Sequence, residues 1–481
     1  MNAALFDGQR DWSAAELHDA GRAAQQWLQA QHTRVLATLL DNGAAFVVLD
    51  EAAAGAGLVH IPLPPFFTPA QLQHALQSAG VDTLLTSPAT AAAWAGLPWL
   101  PLTLAGLELR AARLPTQSVP MPQGTAKITY TSGSTGSPKG VCLRQGAMER
   151  VADGVVQALG PLGITRHLSA LPFAVLLENV AGQMAARRQG ATLLTPPLAE
   201  LGWRGSSQFD VVAFHAAVLH YRPDSMILLP QMLRAWCGYL QQTRQTAPTG
   251  LKFVAVGGAA VGAPLMAAAH ALGIPAYEGY GLSEGASVQT LNLPGAHLHG
   301  SAGRLLLHAQ MRVAPDGELE IAGSLMAGYL GDGTPAPDWW PTGDLGHIDA
   351  QGFVHIQGRK KNVLISSYGR NISPEWVETA LGSQSAIRQA VVYGDGEPAL
   401  WAVLWPLQDN TPDSALQAAV DAANATLPDY ARIARWTRAR APFTVASAYA
   451  TANGRPQRAV ILAAHADAMP VEPLSQLMST P

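Results

Sequence analysis

The densest chemistry in the chain lies in Ile128–Val141, ITYTSGSTGSPKGV. A β-rich run enters a loop with glycines at 133, 136 and 140 and hydroxyls on Thr131, Ser132, Ser134, Thr135 and Ser137, closing on Pro138 and Lys139. Glycine lets successive N–H groups turn inward, hydroxyls add donors, and the lysine adds charge, a combination suited to phosphate oxygens. The P-loop pattern GxxxxGK[ST] fails, because Lys139 follows Pro138 and precedes Gly140. A second cluster, YEGYGLSEG at Tyr277–Gly285, contains a formal GxSxG match to a hydrolase nucleophile elbow. That elbow needs a strand, a sharp turn and a helix, whereas Ala286–Leu293 followed by Pro-Gly promises no long helix. The competing chemistry makes Tyr280 a flat stacking face, Ser283 a phosphate donor and Glu284 an oxygen ligand for Mg²⁺. In WPTGDL, Asp344 sits in a Gly-flanked turn, where a carboxylate can accept two ribose hydroxyls. Gly358–Pro374 supplies cations beside a strand and a glycine turn, and NGRPQR at Asn453–Arg458 is a turn with two arginines. Among 14 histidines there is no HExxH, and His215 and His220 lie off the spacing of a helical metal pair, which favours structural roles.

Positioning these groups requires a framework, and the chain alternates helical and strand-like text. Ala14–Ala30 reads as a helix capped by Ser13. Arg34–Leu40 and Ala45–Leu49 read as short buried strands, and Pro69–Ala79 as a helix leading to a strand at Val81–Thr86. The rhythm returns at Ile227–Gly238, Phe253–Val256, Ala263–Ala271 and Ile274–Gly279. That is βαβ text, which implies a parallel sheet flanked by helices. Between Gly303 and Ile356 short strands and turns take over, with an APDG turn before Glu318–Ile321. A charged segment at Gly358–Lys361 then precedes a new βα pattern, so the expected domains are 1–360 and 361–481.

Composition narrows the class. The 481 residues are 48% hydrophobic and 13% charged, with 30 Lys+Arg against 34 Asp+Glu, which excludes a basic nucleic-acid footprint and an acidic tail protein. Cys142 and Cys237 form no CxxC pair, excluding a disulfide scaffold and a cysteine-rich zinc site. The longest uncharged stretch, Thr83–Leu107, contains Pro88, Pro98 and Pro101, so no membrane span is expected. The start MNAALFDGQRDW lacks the basic-then-apolar pattern of a secretory signal, and a cytoplasmic setting is the default. Arg432, Arg435, Arg438 and Arg440 form either a solvated face or an attraction for an anionic partner.

In order and spacing these clusters resemble the adenylate-forming superfamily of acyl-CoA synthetases, luciferases and nonribosomal adenylation domains. The likeness runs over almost the whole chain, including LVHIPLPP at Leu58–Pro65. GRKKNVLISSYGRNISPEWVE and LPFAVLLENVAG look most like fatty acyl-CoA ligases of medium- to long-chain type. The resemblance implies an α/β fold: a large N-terminal AMP-binding domain of parallel and mixed sheets with a β-barrel-like subdomain, and a small mobile α+β lid. It also implies two steps, ATP-dependent formation of acyl-AMP and transfer of the acyl group to the thiol of CoA.

By the same resemblance, Thr131, Ser132, Gly133, Ser134, Thr135 and Gly136 would embrace the β/γ-phosphates, with Lys139 adding charge or bracing the loop. Ser283 would contact the α-phosphate and Glu284 would hold Mg²⁺. Adenine would lie between Gly257, Gly258, Ala259 and Tyr280, and Asp344 with Arg359 would take the ribose. Lys361 occupies the hinge position, and the segment around Gly369 would approach the pantetheine of CoA or of a carrier protein. Phe173, Val175, Leu176, Val180 and Gly285–Val288 would line an acyl pocket without an Asp to grip an amino group. Two departures stand out: Arg455 replaces the lysine expected in the C-terminal turn, and Val175 stands where related ligases often carry His. Arginine keeps the charge with a different shape and donor pattern. Two alternatives stand beside a CoA ligase, the second of them motivated by Arg455, and Arg458 is a further basic candidate. One alternative is an acyl-AMP ligase loading an acyl carrier protein, the other a weakly catalytic nucleotide-binding homologue.

Overall fold

A computed structural model describes residues 4–466 apart from 66, 95, 116, 132–138, 205–207, 333, 369, 452 and 453. Local rules set the first helix, Ala14–Ala30. The Ser13 hydroxyl accepts from the Glu16 N–H while the Glu16 carboxylate accepts from the Ser13 N–H, and Leu17, Ala20, Ala24 and Leu28 form its buried face. The same reciprocal cap, between Thr68 and Gln71, starts the helix Pro69–Ser78. Ala45–Leu49 departs from the strand expectation: it lies within a helix, Ala44–Gly55, in which Phe46, Val47, Val48 and Leu49 are all buried. A helix whose first two turns are almost wholly covered shows no amphipathic period over them, so a short apolar window cannot be told from a strand.

Among the described residues the large domain carries two broad sheets. One runs in the order Gly328–Tyr329, Lys139–Arg144, Thr125–Thr131, Val59–Pro62, Val35–Leu39, Thr83–Thr86, Leu107–Arg113, Leu100–Leu104. The other contains the parallel run Thr192–Leu194, Arg166–Leu168, Ser225–Leu228, Phe253–Val256, Ala276–Leu282, as the βαβ rhythm implies. A third, antiparallel sheet of Ala309–Val313, Glu318–Gly323, Trp340–Ile348 and Val354–Arg359 leads to the C-terminal part. There Ile387–Tyr393, Leu400–Pro406 and Ile433–Arg438 form a small sheet, with the helices Pro374–Gly382 and Asp413–Asn424 contributing to its apolar core.

A buried ionic knot underlies the strand that feeds the glycine/hydroxyl loop. Lys127, on Thr125–Thr131, places its ammonium 2.8 Å from Asp50, whose carboxylate also meets His60 Nδ1 at 2.6 Å. The far nitrogen of His60 meets the Thr38 hydroxyl at 2.8 Å, and Lys127 also donates to Asn179. Burial opposes the charge on Asp50, but Lys127 and His60 overcome it and hold the carboxyl far below the usual range. Burial in turn pushes the His60 imidazole down.

The helix Pro374–Gly382 rests on the large domain. The Arg234 guanidinium donates to the Gly382 carbonyl, and a Cβ on Gly262 would lie 2.8 Å from Thr379 Cγ2. The C-terminal part is thereby docked over the end of the large domain that carries the candidate site.

Candidate functional site

The strand Ala276–Leu282 delivers Tyr280, then turns through a single 3₁₀ turn, Ser283–Gly285, straight into the strand Ser287–Leu291. No helix follows, so the strand–turn–helix context of a hydrolase elbow is not met. Gly281 is required here, since a Cβ on it would lie 2.1 Å from the Ser287 carbonyl oxygen. Immediately beyond Glu284, Ala286 (φ 58°) and Ser287 (φ 121°) hold left-handed conformations that cost side-chain-bearing residues energy. The Val256–Gly262 turn lies beside this strand. The Val261 N–H donates to the Glu278 carboxylate at 3.2 Å, and burial pushes that carboxyl up to about 7. Gly258 and Ala259 form the exposed lip of the turn.

Asp344 differs from its turn expectation. It lies within the strand Trp340–Ile348, directly opposite Arg359 on Val354–Arg359, because Gly343 (φ 73°) kinks the strand without ending it. Arg359 Nε meets Asp344 Oδ1 at 2.9 Å, and the Tyr280 hydroxyl donates to Oδ2 at 2.7 Å. Burial raises the Asp344 carboxyl despite the Arg359 charge, and it raises the Tyr280 phenol as well, helped by the Asp344 charge. Tyr280 is thus anchored by its hydroxyl on Asp344.

Glu284 and Lys139 meet through a residue that sequence reading missed. The Tyr329 hydroxyl donates to Glu284 Oε1 at 2.8 Å, and Lys139 Nζ lies 5.6 Å from the centre of the Tyr329 ring. This follows from register, because Tyr329 pairs with Val141 on the strand that Lys139 begins. Thr131 and Lys139 are direct partners across the hairpin that carries the loop between them. The loop residues Ser132, Gly133, Ser134, Thr135 and Gly136, and also Gly369, lie outside the described residues.

From the C-terminal part comes Arg455. Its turn is closed by Thr451 N–H to Arg455 O at 2.8 Å and Arg455 N–H to the Thr451 hydroxyl at 3.2 Å. The guanidinium reaches the electrostatic neighbourhood of Arg359, Asp344 and Glu284. Partial burial, with the charges of Arg359, Arg455 and Lys139, lowers the Lys361 ammonium. Four cations, Lys139, Arg359, Lys361 and Arg455, therefore gather with three carboxylates, Asp344, Glu284 and Glu375, a surplus of positive charge suited to a polyanion.

Other candidates have local duties. Arg458 is bound to Glu378 at 2.5 Å and to Glu375 at 3.4 Å, so it is a tie inside the C-terminal part and does not reach toward the site. Arg438 pairs with Asp413 at 2.6 Å. His215 sits between Gln245 and the Trp236 indole, a structural pairing. Phe173, Leu176, Val180, Ala286 and Val288 share one buried cluster with Phe46, and Val175 is half-buried. Leu177 opens a π-helix, Leu177–Met184, and would touch a Cβ placed on Gly257. A cavity of about 960 Å³ lies elsewhere, between Leu63, Leu72, Trp94 and Trp99, and none of the site residues lines it. Among the described residues no helix is long and apolar enough to cross a membrane.

Similarity to known proteins follows the same division of the chain. The profile of the AMP-binding enzyme family matches residues 2–330, and that of the AMP-binding enzyme C-terminal domain matches residues 361–471. An indoleacetate–CoA ligase of Aromatoleum aromaticum is 30% identical over 61% of this chain and 59% of its own length. A sulfoacetate–CoA ligase of Cupriavidus necator is 31% identical over 69% of this chain and 64% of its own. The chain thus spans less than two thirds of these relatives. The structure of an O-succinylbenzoate–CoA synthetase from Bacillus subtilis, in complex with ATP and magnesium ion, superposes with a TM-score of 0.75. It is 23% identical and covers 95% of this chain and 96% of that one.

Proposed function

The chain belongs to the AMP-binding enzyme family, and from that premise we propose that it activates a carboxylic acid with ATP and passes the acyl group to the thiol of CoA. The observation that carries this reading is the convergence of Arg455, from the C-terminal part, with Lys139, Arg359 and Lys361 around Asp344 and Glu284. Attack of a carboxylate on the α-phosphorus of ATP brings an anion to a polyanion. Cations fixed in advance lower that cost without reorganising during the reaction.

In this reading Asp344, held by Arg359 and Tyr280, receives the ribose, and the Tyr280 ring with Gly257, Gly258 and Ala259 takes the adenine. The loop between Thr131 and Lys139 holds the β/γ-phosphates and Ser283 the α-phosphate. Arg455 bridges the attacking carboxylate and the α-phosphate, the task that the resemblance gives to a lysine. Glu284 suits Mg²⁺, since it is a half-buried carboxylate held by one phenol, and the ion would supply charge neutralisation at the phosphates. With Lys361 as hinge, the C-terminal part would withdraw Arg455 after adenylation and bring the segment around Gly369 toward CoA.

For the acid we propose an uncharged, apolar body, a medium- or long-chain fatty acid, because Phe173, Leu176, Val180, Ala286 and Val288 form one apolar cluster against the π-helix. The named substrates of the relatives differ from one another, so the pocket carries this choice. The test is acid-dependent ATP–pyrophosphate exchange across saturated acids of increasing length, with aromatic acids alongside, followed by thioester formation with CoA. Exchange that strengthens with chain length supports the proposal. ATP binding without exchange for any acid would make the protein a nucleotide binder, and exchange confined to aromatic acids would replace the fatty acid.

A further inference from the structure

We propose that His270, His297 and His299 form a binding site for a borderline divalent transition-metal ion, Zn²⁺ being the reference case, apart from the nucleotide site. His270 ends the helix Ala263–Ala271, while His297 and His299 flank Leu298 on the segment between the strands Ser287–Leu291 and Arg304–Leu305. One ring nitrogen from each lies within 4.8 Å of the others. His270 Nε2 lies 2.6 Å from the Ala276 carbonyl and must carry the proton to donate there, so Nδ1 is left as a lone pair. Metal-bound imidazoles are oriented by this same kind of contact. The Nδ1 of His270 lies 3.3 Å from His299 Nε2. Two imidazole nitrogens bound tetrahedrally to zinc at about 2.0–2.1 Å stand about 3.3 Å apart.

A hydrogen bond from His299 to His270 would account for that one contact but not for the third ring. The His297 ring centre is 5.3 Å from that of His270 and 5.4 Å from that of His299. The segment is also held in place from both sides. Leu293 and Ala296 exchange backbone hydrogen bonds, the Leu298 N–H donates to Asn292 Oδ1 at 2.9 Å, and the Ser301 hydroxyl donates to the Leu298 carbonyl at 2.9 Å. His297 is exposed, which leaves an entry path and room for water as fourth ligand. Three imidazoles without a thiolate favour Zn²⁺, Cu²⁺ or Ni²⁺ over Mg²⁺ or Ca²⁺. The ion would pin the segment to the helix next to Tyr277, whose ring centre is 5.6 Å from those of His270 and His297. Its role is therefore a structural clamp on the strand that continues to Tyr280.

The test uses the full chain without an affinity tag, stripped of metal with a chelator and titrated with Co²⁺. The expected result is one Co²⁺ per chain with an intense visible spectrum of tetrahedral type, displaced by one Zn²⁺ and unaffected by excess Mg²⁺. Zn²⁺ should also raise the Tm. His297→Ala/His299→Ala should weaken Co²⁺ binding at least tenfold and abolish the Tm rise. The single change His297→Gln, at an exposed position, should weaken it in the same direction while leaving the metal-free Tm unchanged. Absence of stoichiometric binding, or equal affinity in wild type and the double variant, would overturn the proposal.

Discussion

Asp50 and Asp344 are both buried carboxylates facing a cation, and the two surroundings differ in how the charge is closed. Around Asp50 the cation is itself buried: Lys127 is 4% exposed, and His60, Asn179 and Thr38 complete the network. Around Asp344 the partner Arg359 has a side chain that is 35% exposed, and Lys139, Lys361 and Arg455 stand nearby. The first network is buried and pairs its charges internally, although Asn179 Nδ2 is left without a partner, so its work is to hold the strand below the glycine/hydroxyl loop. The second has more positive charge than its carboxylates consume, and it opens to solvent where a polyanion could enter. Residue type does not separate the two; closure does.

The largest separation should come from breaking the closed network. Lys127→Met removes the buried cation facing the Asp50 carboxylate, leaving only His60 and neutral groups, and should destabilise the fold by about 3–5 kcal/mol. Urea unfolding measures this, and a change under about 1 kcal/mol would contradict a buried, charge-paired network. At the open site the cost should fall on rate instead. Arg455→Ala should slow pyrophosphate exchange by roughly 10²–10³-fold with little change in Tm, while thioester formation from supplied acyl-AMP is spared. Arg455→Lys should preserve or raise exchange, and equal rates for Arg, Lys and Ala would remove the residue from the chemistry. Glu284→Ala should cost a comparable factor and shift the Mg²⁺ dependence. Smaller still, Tyr280→Phe removes one hydrogen bond to Asp344 and should raise the KM for ATP by roughly 5–10-fold, in line with about 1 kcal/mol. The smallest effect concerns the thiols. Burial pushes Cys142 up to about 11 and Cys237 up to about 12, so little thiolate exists at pH 8. Neither should react with a disulfide reagent until the protein is unfolded.

Much of this was legible one segment at a time. Ser13 and Thr68 announce their helices because a cap and its partner lie three residues apart, and the βαβ rhythm announces the parallel sheet. Ala44–Gly55 was not legible, because a helix whose first two turns are almost wholly buried shows no period over them. The adjoining Gly343 signals a turn at Asp344, whereas pairing across to Arg359 keeps the strand going. Tyr329 and Glu278 gave no usable signal. Each acts through a partner distant in sequence, Glu284 or Val261, and neither lies at a spacing that a local motif records.

From the residues alone came the loop chemistry and the order of the motifs, since these depend on local types and short spacings, while the resemblance marked Arg455 as standing in place of a lysine. Folding settled which charges close on themselves and which stay open. It also made Arg458 an internal tie while Arg455 faces the carboxylates, and brought three histidines from two segments together. The reason is physical: burial and the distance between side chains far apart in the chain are set by packing, and both the energy of a charge and its availability depend on them.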